Sequence, residues 1–469
     1  HQGRAVLFLS GSFREAVVEG ADNPVYPPFQ SALLAALTTI GANPIVNSYA
    51  SIAFLNIIYL FGFYFFFSTW MPASMQRAKI LACTLLATSS GFGWIYLLGL
   101  TVTTNPVLSE KSVLDTIVST QPFDIFQPTN FFLSAHPEFS TGLIYIALPA
   151  GFVLLGILRG YLTNKFTFTL MVTVISVLGI LSHDEFYLFI IISAVLPLVF
   201  KIRLASYMYV GFLFALSIVY LIDITSPENY YTSNEIFAGF SLLKLSILFV
   251  VLLWMLYLIR QKLRRIPHTM LNFLEKFTLK RHKHNSSYSG FKFLTRVIIV
   301  SLVCYIYGLS FIILAHLSTG DVMVQSAGYG NPYNIPWYLY SLKFGIIGIF
   351  GLAFVLSYLF KKFEKEVFVF GIIIVIPLFA GPYYDEYRFS KYIMVGMVGF
   401  ASLMLYKIID SLRSKPVISK VIIVIIIATG SLSSILYIGY NSLILQTQDF
   451  VQTLGRRNFA ASEMPLFQT

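Results

Sequence analysis

The chain has 469 residues, of which 57% are hydrophobic and only 11% charged, with a formal net charge of +11. A soluble domain carries about a quarter charged residues, so an ordinary soluble fold is excluded. The basic residues sit in short connections between apolar runs, a pattern of membrane orientation that leaves no role for nucleic acid. Cys83 and Cys304 both lie within apolar runs, so neither a disulfide framework nor a zinc site is indicated.

Residues 1–28 are polar and include Glu15, Glu19 and Asp22. Asn23-Pro-Val-Tyr26-Pro-Pro-Phe29 bars regular helix before Phe29 and fixes how the chain enters the apolar run beyond it. That run, 29–41, is too short to cross a bilayer, which needs about 20 residues, so it is expected to lie on the outer face as an interfacial helix. Residues 1–46 therefore form a first external loop. The chain starts at His1 rather than Met, and we expect it to be a piece of a longer one, with a further span upstream and sequence missing at the C-terminal end as well.

Hydropathy then predicts about twelve spans, each a helix with its backbone hydrogen bonds closed internally. They lie near 47–69, 79–102, 140–160, 165–182, 186–200, 203–222, 238–259, 294–318, 337–360, 366–381, 389–408 and 417–440. The expected architecture is an all-α bundle over 47–440 with an external segment 441–469. Two connections are long: 103–139, expected outside, and 261–293, expected in the cytoplasm. The second, with its flank, carries Arg260, Lys262, Arg264, Arg265, Lys280, Arg281 and Lys283, which read as an anchor on anionic lipid.

Alternating the loops sorts the charges. One side holds Arg77/Lys79, Arg159/Lys165, Lys201/Arg203, the 260–296 basic run, Lys361/Lys362/Lys365 and Arg413/Lys415/Lys420. The other holds Asp115, Asp124, Glu138, Asp184, Glu185, Asp223, Glu228, Glu235, Asp321, Asp385 and Glu386. The basic side is expected to be cytoplasmic.

Cations on the acidic side are few. Arg388 and Lys391 stand at the head of the 389–408 span, and Lys244 and Lys343 lie about two turns into spans entered from outside. A charge at that depth marks a functional site unless it is paired or snorkels to the interface. Arg388 suits a bidentate grip on phosphate, or a pair with Asp385 or Glu386; lysines act as point charges. His183-Asp184-Glu185 is the densest polar cluster at a membrane surface, and a solvated turn is the competing account. With His136 and Glu138 it makes two His and three carboxylates, a set able to hold a divalent cation such as Mg2+ or Mn2+, although the spacing is no metal signature. Tyr383, Tyr384, Tyr387, Trp337 and Tyr338 read as an interfacial aromatic belt.

Several motifs resemble the GT-C superfamily of integral membrane glycosyltransferases. They are Tyr26-Pro-Pro before a short apolar helix and Gly41-x-Asn-Pro44; Ser89-Ser-Gly-Phe-Gly-Trp94; Gln127-Pro-Thr-Asn130-Phe-Phe; His136-Pro-Glu138-Phe; and Arg388-Phe at the head of a late span. The resemblance covers most of the chain and points to a poorly characterised branch of the superfamily. It implies a GT-C-like bundle that transfers sugar from a polyprenyl-phosphate donor, with inversion, to a glycan, lipid or protein acceptor on the outer face of the membrane. By this resemblance a first-loop carboxylate, either one preceding His1 or Glu15, Glu19 or Asp22, acts as base with Asp184 and Glu185 in support. Arg388, assisted by Lys391, Lys343 or Lys244, holds the donor phosphate. Tyr26, Asp124, Asn130, His136, Glu138 and His183 line the substrate loops. The family's base lies soon after the first span, which this chain lacks. A transporter or flippase of lipid-linked or anionic solutes, or a catalytically inactive homologue, are the competing classes. A transporter places its charges near mid-membrane and on both faces, whereas here they gather at one.

Overall fold

A computed structural model describes residues 44–89 except 74, and 146–160, 162–183, 186–199, 202–225, 237–265, 337–358, 369–374 and 386–446, with Ala36, 91–92, 95 and five positions between 302 and 310. Every regular element among the described residues is helical. In chain order these are α1 (Pro44–Trp70), α2 (Gln76–Thr88), α3 (Leu148–Ile157), α4 (Lys165–Ser182), α5 (Phe186–Val199), α6 (Ala205–Thr225), α7 (Phe237–Arg265), α8 (Trp337–Tyr358), α9 (Glu386–Ser411) and α10 (Pro416–Gln446). Four of them contain stretches long and apolar enough to cross a membrane: Lys165–Ser182, Ala205–Ile222, Leu243–Lys262 and Tyr392–Ser411. The protein is thus an all-helical membrane protein. Of the remaining predicted spans, 294–318 and 366–381 are described only as short helical pieces, and of the interfacial run 29–41 only Ala36, helical and exposed, is described.

The chain divides into two compact units. The first comprises His1–Cys83, Glu138–Asn334 and Phe350–Ile408, and α5 is its centre, packed by α3, α4, α6 and α7. Phe186, Tyr187, Phe189, Ile190, Ser193, Ala194 and Leu196 are all buried. That explains why the 186–200 stretch is apolar on every side: a helix surrounded by other helices needs no polar face.

Around α5 the helices approach closely where side chains are small. Thr169 and Thr173 of α4 donate Oγ1 hydrogen bonds to the Tyr207 and Gly211 carbonyls of α6, at 3.4 and 3.1 Å. Both bonds span 38 residues, so α4 and α6 run parallel in fixed register. Gly211 permits the approach, since a Cβ there would lie 2.9 Å from Val172. α1 and α3 are also parallel: Gly62 faces Pro149 and Val153, and Gly156 faces Phe65 and Thr69. Trp70 Nε1 closes the end of this pair by donating to the Leu155 carbonyl at 3.1 Å. Such small-residue contacts and interhelical hydroxyl bonds hold helices together where lipid is as apolar as the packing surface.

Three boundaries differ from expectation. α7 runs through Arg260, Lys262, Arg264 and Arg265, where a loop is expected. Cations are favourable at a helix C-terminus because they complement the exposed carbonyl dipoles. Arg260 also donates Nη1 to the Pro197 carbonyl (3.3 Å), one of the last carbonyls of α5, which has no partner of its own in that helix. α10 continues to Gln446, into the segment expected to be external. The predicted 79–102 span is not one helix: α2 stops at Thr88, and Gly91 and Phe92 form a turn.

The second unit comprises Thr84–Pro137, Ile335–Ile349 and Ile409–Thr469. Its described interior is built on three backbones in close contact. Gly91 has a φ of 78°, and Gly345, inside α8, has φ 48° and ψ −130°, values open to glycine. A Cβ on Gly345 would lie 2.8 Å from the Gly91 Cα, and one on Gly430 would lie 3.1 Å from Ser89 Oγ.

Candidate functional site

The first unit positions one end of α5 against the head of α9 through an aromatic chain. Phe63, Phe66, Phe67, Phe152, Phe189, Phe370 and Phe400 are buried together. Phe189 of α5 packs edge-on against Phe152 at 5.3 Å, and at 5.4 Å against Tyr392 of α9. Gly151 makes room, because any Cβ there would overlap the Phe189 ring. Rings in tilted and edge-to-face pairs contribute about 0.5–1.5 kcal/mol each beyond the area they bury.

Phe186, the first residue of α5, lies three residues before Phe189, and Arg388 lies one turn before Tyr392. The start of α5 and the first turn of α9 therefore each lie within about one turn of that contact in the first unit. The connection from α4 to α5 is equally tight. His183 ends α4 with an extended backbone (φ −166°, ψ 140°), its N–H donating to the Gly179 carbonyl and its carbonyl accepting from Phe186 N, both at 3.0 Å. The Phe186 ring lies over Gly179, where a Cβ would overlap it. His183 is half-buried. Asp184 and Glu185 come next and lie outside the described residues, between two that are firmly held.

In the register of α4 and α6, Ser182 is level with Tyr220, and α6 continues to Thr225, about 7 Å further.

The other expected site residues divide plainly. Arg388 and Lys391 are in the first two turns of α9, and Lys343 is in α8; the side chains of all three lie outside the described part. Lys343 belongs to the second unit and Arg388 to the first. Lys244 is exposed and shares a stripe of α7 with exposed Leu248, Leu252, Met255, Leu256 and Ile259. This is the apolar outer face of the helix, a placement that fits the snorkelling account of Lys244. Glu19, Asp22, Tyr26, Asp124, Asn130, His136 and Glu138 lie outside the described residues. Of the five residues considered for a divalent cation only His183 is described, and among the described residues no group of three His, Cys, Asp or Glu is gathered.

The sequence held one signal for this geometry that spacing alone could not decode. Arg388 and Tyr392 are four apart in α9, and the ring contact of Tyr392 with Phe189 settles which helix that stretch of α9 meets.

The chain matches no family model, and neither curated proteins nor solved structures yield a similar protein.

Proposed function

We propose that the protein is a GT-C-type glycosyltransferase of about twelve spans, transferring sugar from a polyprenyl-phosphate donor to a glycan, lipid or protein acceptor on the outer face. The observation that supports this reading is the contact of Phe189 with Tyr392, which lies within about one turn of the start of α5 and of the first turn of α9. Asp184 and Glu185 immediately precede α5 in the sequence, and Arg388 and Lys391 belong to the first two turns of α9.

The chemistry needs both. A carboxylate from Asp184 or Glu185, or Glu19 or Asp22 of the first loop, takes the proton of the acceptor hydroxyl. The acceptor oxygen attacks the anomeric carbon while the bond from that carbon to the phosphate oxygen breaks, its electron pair staying on the phosphate. Arg388, with Lys391, stabilises the charge gathering there. Attack opposite the leaving phosphate inverts the anomeric centre.

The test is transfer from a panel of polyprenyl-phosphate hexoses in membranes holding the full chain or its variants. Arg388→Ala is expected to reduce transfer by about a hundredfold or more, the range for removing a group that stabilises transition-state charge. Asp184→Asn and Glu185→Gln compared with Glu19→Gln and Asp22→Asn identify the base. Unchanged turnover in Arg388→Ala removes it from the mechanism, and absence of transfer from every donor rejects the enzyme.

A transporter is the second reading, and one observation favours it: two apolar stretches are interrupted, one where α2 ends at Thr88 and one at the non-helical Gly345 of α8. Interrupted spans are where carriers build their sites.

A further inference from the structure

The break after α2 falls deep in the membrane. Ser89 is ten residues beyond Lys79, about 15 Å along the helix, and Gly430 of α10 is likewise ten residues beyond Lys420. Both lysines belong to the basic side. Ser89 Oγ lies against Gly430, so the two counts agree, and they put the break near the centre of a hydrocarbon core about 30 Å thick.

Backbone that leaves the helix at that depth is tolerated only where protein buries it or where it lines a polar cavity. Here the last turn of α2 leaves carbonyls without a successor turn; the Leu85 carbonyl is taken by the Ser89 amide at 2.9 Å. Ser89 is 1% exposed, and its Oγ has no hydrogen-bond partner among the described residues. Thr88 donates to the Thr84 carbonyl at 2.8 Å and Thr429 to that of Ile425 at 2.7 Å; the buried hydroxyls of Ser68, Ser176 and Ser193 also have no partner among the described residues, but each lies inside a continuous helix, whereas Ser89 stands just past the end of α2. A buried unsatisfied hydroxyl is costly, and a native one calls for an occupant. Ser89 Oγ is turned into the space that Gly430 leaves by having no side chain, beside the Gly91–Gly345 contact.

We propose that this break is a binding site for a small monovalent cation, with sodium as its type. The groups offered are all oxygens: the Ser89 hydroxyl and the terminal carbonyls of α2. The C-terminus of a helix carries a partial negative charge, which water does not screen at mid-membrane. Neutral oxygens with one helix end suit a single positive charge; a divalent ion demands carboxylates. The site is independent of the glycosyltransferase reading, since none of its residues belongs to that machinery.

The experiment uses the full chain in lipid nanodiscs, with thermal unfolding followed by tryptophan fluorescence in NaCl or in N-methyl-D-glucamine chloride at equal ionic strength. Sodium is expected to raise Tm in a saturable way in the unaltered protein. In Ser89→Ala the half-saturating concentration should rise about tenfold or more, as expected for losing one direct ligand to a charged group. Gly430→Ala, which fills the space before Ser89 Oγ, should do the same and serves if Ser89→Ala does not fold. Equal Tm in the two salts overturns the proposal, as does a sodium response left unchanged by both variants. Loss of sugar transfer in Arg388→Ala bears on the enzyme alone, so the two ideas fail separately.

Discussion

The contact between Phe189 and Tyr392 is the observation that supports the glycosyltransferase reading, so it is the feature to perturb. Phe189 is 1% exposed and touches three rings: Phe152 at 5.3 Å, Tyr392 at 5.4 Å and Phe186 at 5.8 Å. Phe189→Leu keeps most of the volume but removes these pairs, each worth about 0.5–1.5 kcal/mol. Because neighbouring contacts are not additive, and because lipid is itself apolar, the expected loss of stability is about 1–3 kcal/mol. The ring pair itself is isolated by a double-mutant cycle with Tyr392→Leu, measured by detergent-titrated unfolding from bicelles. A coupling of about 0.5–1.5 kcal/mol is expected. Strict additivity of the two variants, within about 0.3 kcal/mol, would mean that the rings do not meet. The contact between α5 and α9 would then be lost, and with it the observation that supports the glycosyltransferase reading.

Two further outcomes are expected. Thr173→Val, which removes the hydroxyl bond to the Gly211 carbonyl, should destabilise by about 0.6 kcal/mol and no more than about 1.7, whereas Gly211→Leu, forcing a side chain against Val172 and the Thr169 carbonyl, should be far worse; the same unfolding titration compares them. Lys244→Gln should leave sugar transfer within about twofold of the unaltered protein, because the residue stands on the outward stripe of α7; a large fall in kcat with KM unchanged would assign Lys244 to the donor site.

Some of the site is readable from spacing and some is not. The boundaries of α4 and α5 agree with the predicted spans almost to the residue, because Asn164, whose side chain accepts from the Phe166 and Thr167 amides, and the His183-Asp184-Glu185 turn are strong local signals. Lys244 cannot be judged that way. Its depth suggests function, but depth does not say which side of α7 it occupies. The Ser89–Gly91 break is marked in the sequence by Ser89-Ser-Gly-Phe-Gly, but apolar residues flank it on both sides, so hydropathy averaged over a span passes across it. The boundary of α7 escapes for the opposite reason: a run of cations reads as loop, where Arg260 instead ties two helix ends together.

By itself the sequence determined what is local. It determined that the chain is helical and membrane-embedded, because backbone groups in lipid must bond within their own segment. The tertiary structure alone decided which helices touch and how each is rotated. A helix such as α5, apolar on all sides, shows no contrast between faces, so nothing in its own residues names a partner. Only the close approach at Gly151, the ring of Tyr392 and the breaks at Gly91 and Gly345 supply that choice, and they depend on residues far apart in the chain.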